Sequence, residues 1–163
     1  NDGTSCLDDD QAAALLREAD RFYCERYLGD HGGRAASRLA MYPFLRELAD
    51  GLRRQATAQN RSLRLYSGHD TVVAPVAAAL GFFDCKWPPL ASHILFELYA
   101  AEVEGPLLRI VYNGRPVPVL GCSATAGDGT NEDHLLCPLA AFSDAVDGLL
   151  GDDFADFKRA CQS

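Results

Sequence analysis

Leu63-Arg64-Leu65-Tyr66-Ser67-Gly68-His69-Asp70-Thr71 is the stretch on which the reading of this chain turns. Its first five residues alternate, which predicts a short strand of about five residues, a common strand length. Gly68-His69-Asp70 predicts a turn, and Thr71 to Leu80 a compact apolar helix that stops at Gly81, with Pro75 early enough to be tolerated. A strand, a tight glycine turn and a helix place side chains at the carboxyl edge of a sheet, where open α/β folds keep their sites. The helix start aims N–H groups and a positive dipole end at the same space, which favours an anion. Gly68 allows either a positive φ or a close backbone approach there. In that setting His69 can hydrogen-bond a phosphoryl oxygen, and Asp70 can protonate a departing alkoxide. The competing reading makes Asp70 a helix cap, a position aspartate favours, with His69 packed nearby.

Outward from this stretch, the order of elements becomes readable. Asp8 to Asp10 make an acidic start of the kind a helix dipole favours. Leu15, Ala19, Phe22, Tyr23, Arg26 and Tyr27 then recur at helical spacing, until Gly29-Asp30-His31-Gly32-Gly33 breaks the run. A second helix is predicted from Met41, Leu45, Leu48 and Leu52, with Pro43 near its beginning, where a missing N–H does no harm. These two helices read as a helical layer. Downstream, Trp87-Pro88-Pro89 is a rigid loop, and His93 to Ala100 and Leu107 to Tyr112 are two strands joined through Gly105-Pro106, antiparallel. Gly121 to His134 is a polar loop bracketed by Cys122 and Cys137, a candidate pair that would staple it. Pro138 to Leu149 reads as an amphipathic helix, followed by a shorter helical piece near Phe154 to Cys161.

Composition narrows the function classes. Of 163 residues, 48% are hydrophobic and 23% charged, which excludes wholesale disorder and allows a real core. Lys and Arg number 15 against 23 Asp and Glu, a net charge of -8, so neither nucleic acid nor an anionic membrane is an expected partner. A few local Arg or His residues can still outweigh that charge at close range and hold a small anion. The longest apolar stretch, Thr71 to Phe83, is broken by Pro75 and too short to span a bilayer. Asn1-Asp2-Gly3-Thr4 has neither region of a signal sequence and reads as a cut end. Six cysteines (Cys6, Cys24, Cys85, Cys122, Cys137, Cys161) are dispersed, with no zinc-site spacing among them. Their even count fits disulfides in an oxidising compartment, with every pairing left open. Asn60-Arg61-Ser62 is a candidate glycosylation sequon, and both features lean towards a secreted or lumenal protein.

The run from Leu65 to Thr71 resembles the second signature of the histidine acid phosphatases, "YSxHDxT". The resemblance continues through Ala78-Ala79-Leu80-Gly81, Trp87-Pro88-Pro89-Leu90-Ala91-Ser92-His93 and Phe96-Glu97-Leu98-Tyr99. It runs on through Val111-Tyr112-Asn113-Gly114, Leu120-Gly121-Cys122, Cys137-Pro138-Leu139 and Phe154-Ala155-Asp156-Phe157. Arg38-Leu39-Ala40-Met41-Tyr42-Pro43 looks like that family's helix before the catalytic strand. Within the family, the chain is most similar to the acid phosphatase and 2-phosphoxylose phosphatase branch. The resemblance implies an α/β fold: later strands and helices of a phosphoglycerate-mutase-like sheet domain, with part of a helical cap. Residues 1–60 would be the cap portion and residues 61–163 the α/β portion. It also implies phosphomonoester hydrolysis through a phosphohistidine, with His69 binding the phosphoryl group and Asp70 donating the proton. The expected substrate is a phosphorylated small molecule or glycan. No cofactor or metal is implied, because Arg and His residues neutralise the transferring group. A bound phosphate dianion should raise the Asp70 pKa by like charge.

The family's nucleophile lies in an "RHGxRxP" block, which this chain does not match in full. Asp30-His31-Gly32-Gly33-Arg34 contains His-Gly-x-Arg, but Asp30 replaces the leading Arg and Ala36 the Pro, and it lies between two helices. His31 therefore reads as a solvated loop histidine. His93 and Glu97 are family-like and read as structural, and His134 takes no role. Ser67, His69 and Asp70 are too close in sequence for a catalytic triad, and no Gly-x-Ser-x-Gly elbow exists. Asp128, Asn131, Glu132 and Asp133 lack calcium-loop spacing and read as a solvated acidic loop. Arg53-Arg54 reads as an exposed helix face. Three readings follow. The chain is the C-terminal part of a histidine acid phosphatase, with Cys161 bonded to a missing N-terminal half. Or it is a remnant that binds phosphorylated ligands without turnover. Or it is an interaction domain in which His69 and Asp70 are only turn and cap.

Overall fold

Asp8 opens the first helix with a reciprocal cap: its Oδ1 accepts from the Gln11 N–H at 2.8 Å, and Gln11 Oε1 accepts from the Asp8 N–H at 3.2 Å. The structure, a computed structural model, describes residues 7–58, 60–101, 105–122, 135–150 and 162. Helix α1 spans Asp9–Leu28, and α2, Gly33–Ala56, follows a turn through left-handed Gly32 at φ 94°. The α1 stripe differs from the one periodicity suggests: Leu15 and Phe22 are 57% and 59% exposed, while Tyr27 is buried. The packed face is Asp20, Tyr23, Cys24 and Tyr27, the spacing i, i+3, i+4, i+7. Two polar groups and a thiol on that face hide it from a hydrophobicity reading.

Helix α2 begins eight residues before Met41, so Pro43 lies inside it rather than near its start. The helix survives because Pro43 is on the exposed side, where water can serve the carbonyl freed four residues back. Its buried stripe is Tyr42, Leu45, Leu48 and Ala49. Helix α3, Asp70–Leu80, ends at left-handed Gly81 and is buried on every residue from Ala74 to Leu80. Small alanines let neighbours approach it from two sides. Ala74, Ala77 and Ala78 meet Tyr27 and Phe83, while Val76, Ala79 and Leu80 join the main core.

Strands β1 (Ile94–Tyr99) and β2 (Leu107–Tyr112) pair antiparallel as the alternation predicts, with Ile94 opposite Tyr112 and Tyr99 opposite Leu107. On the other side of β2 lie β3 (Arg115–Val117) and the two-residue β4 (Cys137–Pro138), both antiparallel to it. The β2–β3 hairpin turns at Asn113-Gly114, with φ of 49° and 79°, the left-handed pair that such two-residue turns need. Helix α4, Leu139–Asp147, buries Leu139, Phe142, Ser143 and Val146. Phe142 and Val146 meet Leu45 of α2, Ile110 of β2 and Val119 in one core. The described residues are thus a mixed α/β unit of four helices and an antiparallel sheet.

The predicted strand at 63–67 is not part of that sheet. Residues 61–69 lie in no strand, although Arg64 and Tyr66 turn towards α2 while Leu63 and Leu65 do not, the alternation of strand residues. Tyr66 packs edge-on against Phe44 of α2 at 5.2 Å, and the Arg64 guanidinium lies 2.7 Å from where a Cβ on Gly51 would sit. Leu63 and Leu65 face outward, 90% and 88% exposed. A strand exists only through a ladder partner, and none of the described residues offers one.

Candidate active site

The Gly68-His69-Asp70 turn delivers two side chains to the start of α3. Gly68 is there for close approach, not for positive φ: a Cβ on it would come within 3.2 Å of the Val72 Cβ. His69 is the N-cap residue with extended backbone (φ −105°, ψ 176°) and makes no side-chain cap bond. Its carbonyl accepts from the Val72 and Val73 N–H groups at 2.9 and 3.0 Å, and the Thr71 N–H goes to Asp70 Oδ1 at 2.8 Å. Several amides expected to greet an anion are therefore engaged, and the dipole of α3 and the exposed His69 imidazole remain.

Asp70 is not the cap but the first helical residue. Its Oδ2 accepts two further hydrogen bonds, from the Tyr23 O–H at 2.5 Å and from the Trp87 indole N–H at 2.8 Å. Tyr23 comes from α1 and Trp87 from the loop after α3, so a fully folded chain is needed to assemble the group. The Tyr23 bond, then the Trp87 bond, hold the Asp70 pKa below its ordinary value; partial burial opposes them, while the Thr71 N–H and nearby His69 assist. Burial first, and then the bond to Asp70, push Tyr23 up to about 12, so it stays a protonated donor. Before any anion binds, Asp70 is an oriented carboxylate. Its lowered pKa runs opposite to the raised value expected beside a bound phosphate dianion.

Three ties hold Trp87 to α1. Cys24 and Cys85 form a disulfide (Cα–Cα 4.4 Å), the Trp87 N–H donates to Asp20 Oδ1 at 2.7 Å, and the Trp87 and Tyr23 rings stack with centroids 6.2 Å apart. Sequence reading missed Tyr23, Trp87 and this disulfide as site features. The available signal was that Cys24 adjoins Tyr23 and Cys85 lies two residues before Trp87, but no spacing rule joins the two cysteines.

The remaining candidates fall elsewhere. The Cys122–Cys137 disulfide is present, with Cα atoms 5.9 Å apart, and ties the chain after β3 to β4. His31 sits in the α1–α2 turn and lines a shallow cavity of about 330 Å³ with Glu25, Gly29 and Asp30, none of which bonds Asp70. His93 has its Nδ1 3.1 Å from the Ala91 carbonyl and its backbone N–H on Asn113 Oδ1. Glu97 pairs with Arg109 opposite it on β2 at 2.6 Å. Arg54 is exposed as expected, while half-buried Arg53 is tied down: it bonds Asp50 at 2.9 Å and Asp147 of α4 at 2.5 Å. Asn60 is exposed, with its carbonyl accepting from Gln55. Cys6, Asp128, Asn131, Glu132, Asp133, His134, the piece at 154–161 and Cys161 lie outside the described residues. Among the described residues no group of three His, Cys, Asp or Glu could hold a metal, and no helix is long and apolar enough to cross a membrane.

Comparison with known proteins gives the chain a family. Human lysophosphatidic acid phosphatase type 6 is 35% identical over 119 residues, covering 69% of this chain and 26% of the relative. Counting factor 60 of Dictyostelium discoideum is 30% identical over 122 residues, covering 74% of this chain and 26% of the relative. The 2-phosphoxylose phosphatase 1 of Xenopus tropicalis is 31% identical over 111 residues, covering 66% of this chain and 22% of the relative. The chain therefore spans about a quarter of the length of the curated relatives it matches. The family description "histidine phosphatase superfamily (branch 2)" matches residues 6–113, which include the whole of the His69-Asp70 turn, Tyr23 and Trp87, and the β1–β2 pair. The chain belongs to the histidine phosphatase superfamily, branch 2.

Proposed function

We propose that this chain is the proton-donor and phosphate-binding part of an acid phosphatase that hydrolyses phosphomonoesters through a phosphohistidine. His69 binds the phosphoryl group at the start of α3, and Asp70 passes a proton to the leaving alcohol oxygen. The observation that carries the reading is Asp70 itself, held by two tertiary hydrogen bonds beside an exposed histidine at a helix N-terminus in a chain of this superfamily. A cap would need neither donor. Substrates are phosphorylated small molecules or glycans; the names of the lysophosphatidic acid and 2-phosphoxylose phosphatases support that class and do not choose within it.

The nucleophilic histidine comes, on this reading, from polypeptide outside these 163 residues. Two facts support it: the chain spans about a quarter of its relatives, and Leu63 and Leu65 stand exposed on a segment patterned as a strand. Residues 1–60 supply a cap portion and residues 61–163 the α/β portion, pressed together through the core shared by α2, α3 and α4. Cys161 is the proposed link to the other part. A secretory location and glycosylation at the exposed Asn60 go with the two disulfides.

The test begins with the intact mass of the natural gene product, with and without reductant, and then its hydrolysis of p-nitrophenyl phosphate. Turnover is expected at mildly acidic pH, with Asp70→Asn lowering kcat about 10²–10⁴-fold, the usual worth of a general acid. His69→Ala is expected to abolish inhibition by inorganic phosphate. A second reading, phosphate binding without turnover, draws on the ionised state of Asp70. It gains if phosphate binds and no ester is cleaved at the natural length.

A further inference from the structure

We infer that Tyr23 and Trp87 are positioning residues for Asp70, and that the Cys24–Cys85 disulfide is the tie that holds their two elements in place around it. The inference rests on the proton-donor reading and adds what aims the donor and decides when it takes up its proton. Both donors converge on one oxygen, Oδ2, from points 47 and 17 residues away in sequence. Oδ1 is held by the Thr71 N–H, so the carboxyl plane is fixed from both sides. Neither donor stands alone. The Tyr23 and Trp87 rings stack, Asp20 holds the Trp87 backbone, and Cys85 (φ 60°) turns the chain back to Cys24, the residue next to Tyr23.

The chemistry of the donors gives the clamp a direction. An indole N–H can only donate, whereas a phenol can donate or accept. A proton on Oδ2 therefore turns the Tyr23 hydroxyl around and weakens the Trp87 bond, while a proton on Oδ1 opposes the Thr71 N–H. Each of the three hydrogen bonds favours the carboxylate. The titratable and charged groups facing it are His69 on its own turn, Tyr23 with Arg26 and Tyr27 behind it on α1, and Asp20 at the Trp87 backbone. With His69 beside it, Tyr23 neutral and Asp20 engaged by the Trp87 backbone N–H, the groups bonded to Asp70 supply no negative charge to draw a proton to it. A phosphate dianion would. The clamp thus keeps the acid aimed and ionised until the substrate's negative charge raises its proton affinity and it takes up a proton from solvent, so the proton is present only when a leaving group is.

Trp87 is the only tryptophan of the chain, so its indole N–H gives a single nitrogen-15 NMR cross-peak that reports on Asp70 directly. In the full chain this peak is expected to titrate with an inflection below the ordinary aspartate range, and the titration should vanish in Asp70→Asn. Tyr23→Phe, which keeps the ring, should move the inflection to higher pH, and the Cys24→Ser/Cys85→Ser double variant should do the same or erase it. Cys122→Ser/Cys137→Ser should leave it in place. An indole peak indifferent to Asp70→Asn, or an inflection that Tyr23→Phe leaves unmoved, overturns the inference; because Tyr23→Phe is conservative, an unfolded cysteine variant does not rescue it. In the natural-length protein, Tyr23→Phe should extend p-nitrophenyl phosphate hydrolysis to higher pH, and an unchanged pH profile in an active protein again overturns it. A titrating clamp in a protein with no turnover at all removes the proton-donor reading instead.

Discussion

Asp70 carries a consequence for stability that is separate from catalysis. Its pKa is lower in the folded chain than in an unfolded one, chiefly through Tyr23 and then Trp87. A depressed carboxylate contributes stability that is fully present above the unfolded value, about 3.9, and is lost as pH falls through the folded value. Asp70→Asn should therefore flatten the acid limb of stability below about pH 4. Urea midpoints measured from neutral pH downward check this, and an unaltered limb would show that the two donors do not favour the charged form. His69, the residue before it, was as legible as Asp70 from the turn chemistry of Gly68. What the residues could not show was the partner set. Tyr23 and Trp87 look like ordinary aromatic core candidates until folding brings both to one oxygen.

Helix α2 shows where element-level reading stops. Its stripe of Leu45, Leu48 and Leu52 is plain in the sequence, but Pro43 draws the predicted start about two turns too late. The helix runs through the proline because Ser37, Tyr42 and Leu45 are buried on either side of it, and packing outweighs one missing hydrogen bond. Pro43→Ala should restore that bond on an exposed face and stabilise the chain. Helix propensity favours it by about 3 kcal/mol, offset by up to about 1 kcal/mol of unfolded-chain entropy. Thermal unfolding tests the sign. A lower Tm would mean that Pro43 has a packing role its exposure does not show. The Arg53 and Asp147 pair makes a similar point: a basic residue on a helix face reads as solvated, and only the approach of α4 makes it a cross-link between helices. The hairpin at Asn113-Gly114 was legible in principle, since Asn-Gly between strand-like runs is a strong turn signal. Arg115-Pro116-Val117 is simply too short to announce a strand without its partner.

At the scale of the whole molecule, the outward leucines are the test of how this chain is completed. Leu63 and Leu65 are almost fully exposed, so Leu63→Glu/Leu65→Glu should change the stability of the isolated chain by no more than about 0.5 kcal/mol per site. In the natural-length protein the same pair should cost several kcal/mol and most of the activity, if a neighbouring strand covers them as proposed. Equal, small effects in both settings would remove the case for a covering element. The disulfides divide in the same way. Cys122–Cys137 closes a sequence separation of 15 residues and should contribute about 3 kcal/mol, against about 4 kcal/mol for Cys24–Cys85 across 61. The first pair brackets a polar loop and could be proposed from sequence; the second joins distant elements and could not. By itself, then, the sequence determined the local things: the Gly-His-Asp turn and its helix, the β1–β2 hairpin, the helical stripes and the family resemblance. Each depends on residues within a few positions of one another, where periodicity, glycine and capping chemistry act directly. Only the tertiary structure decided that Asp70 is gripped rather than capping, that Cys24 meets Cys85, and that the strand-like 63–67 segment finds no strand partner among the described residues. Those are contacts between residues tens of positions apart, and the pairing of distant groups is set by how the helices pack around α3, which no local pattern encodes.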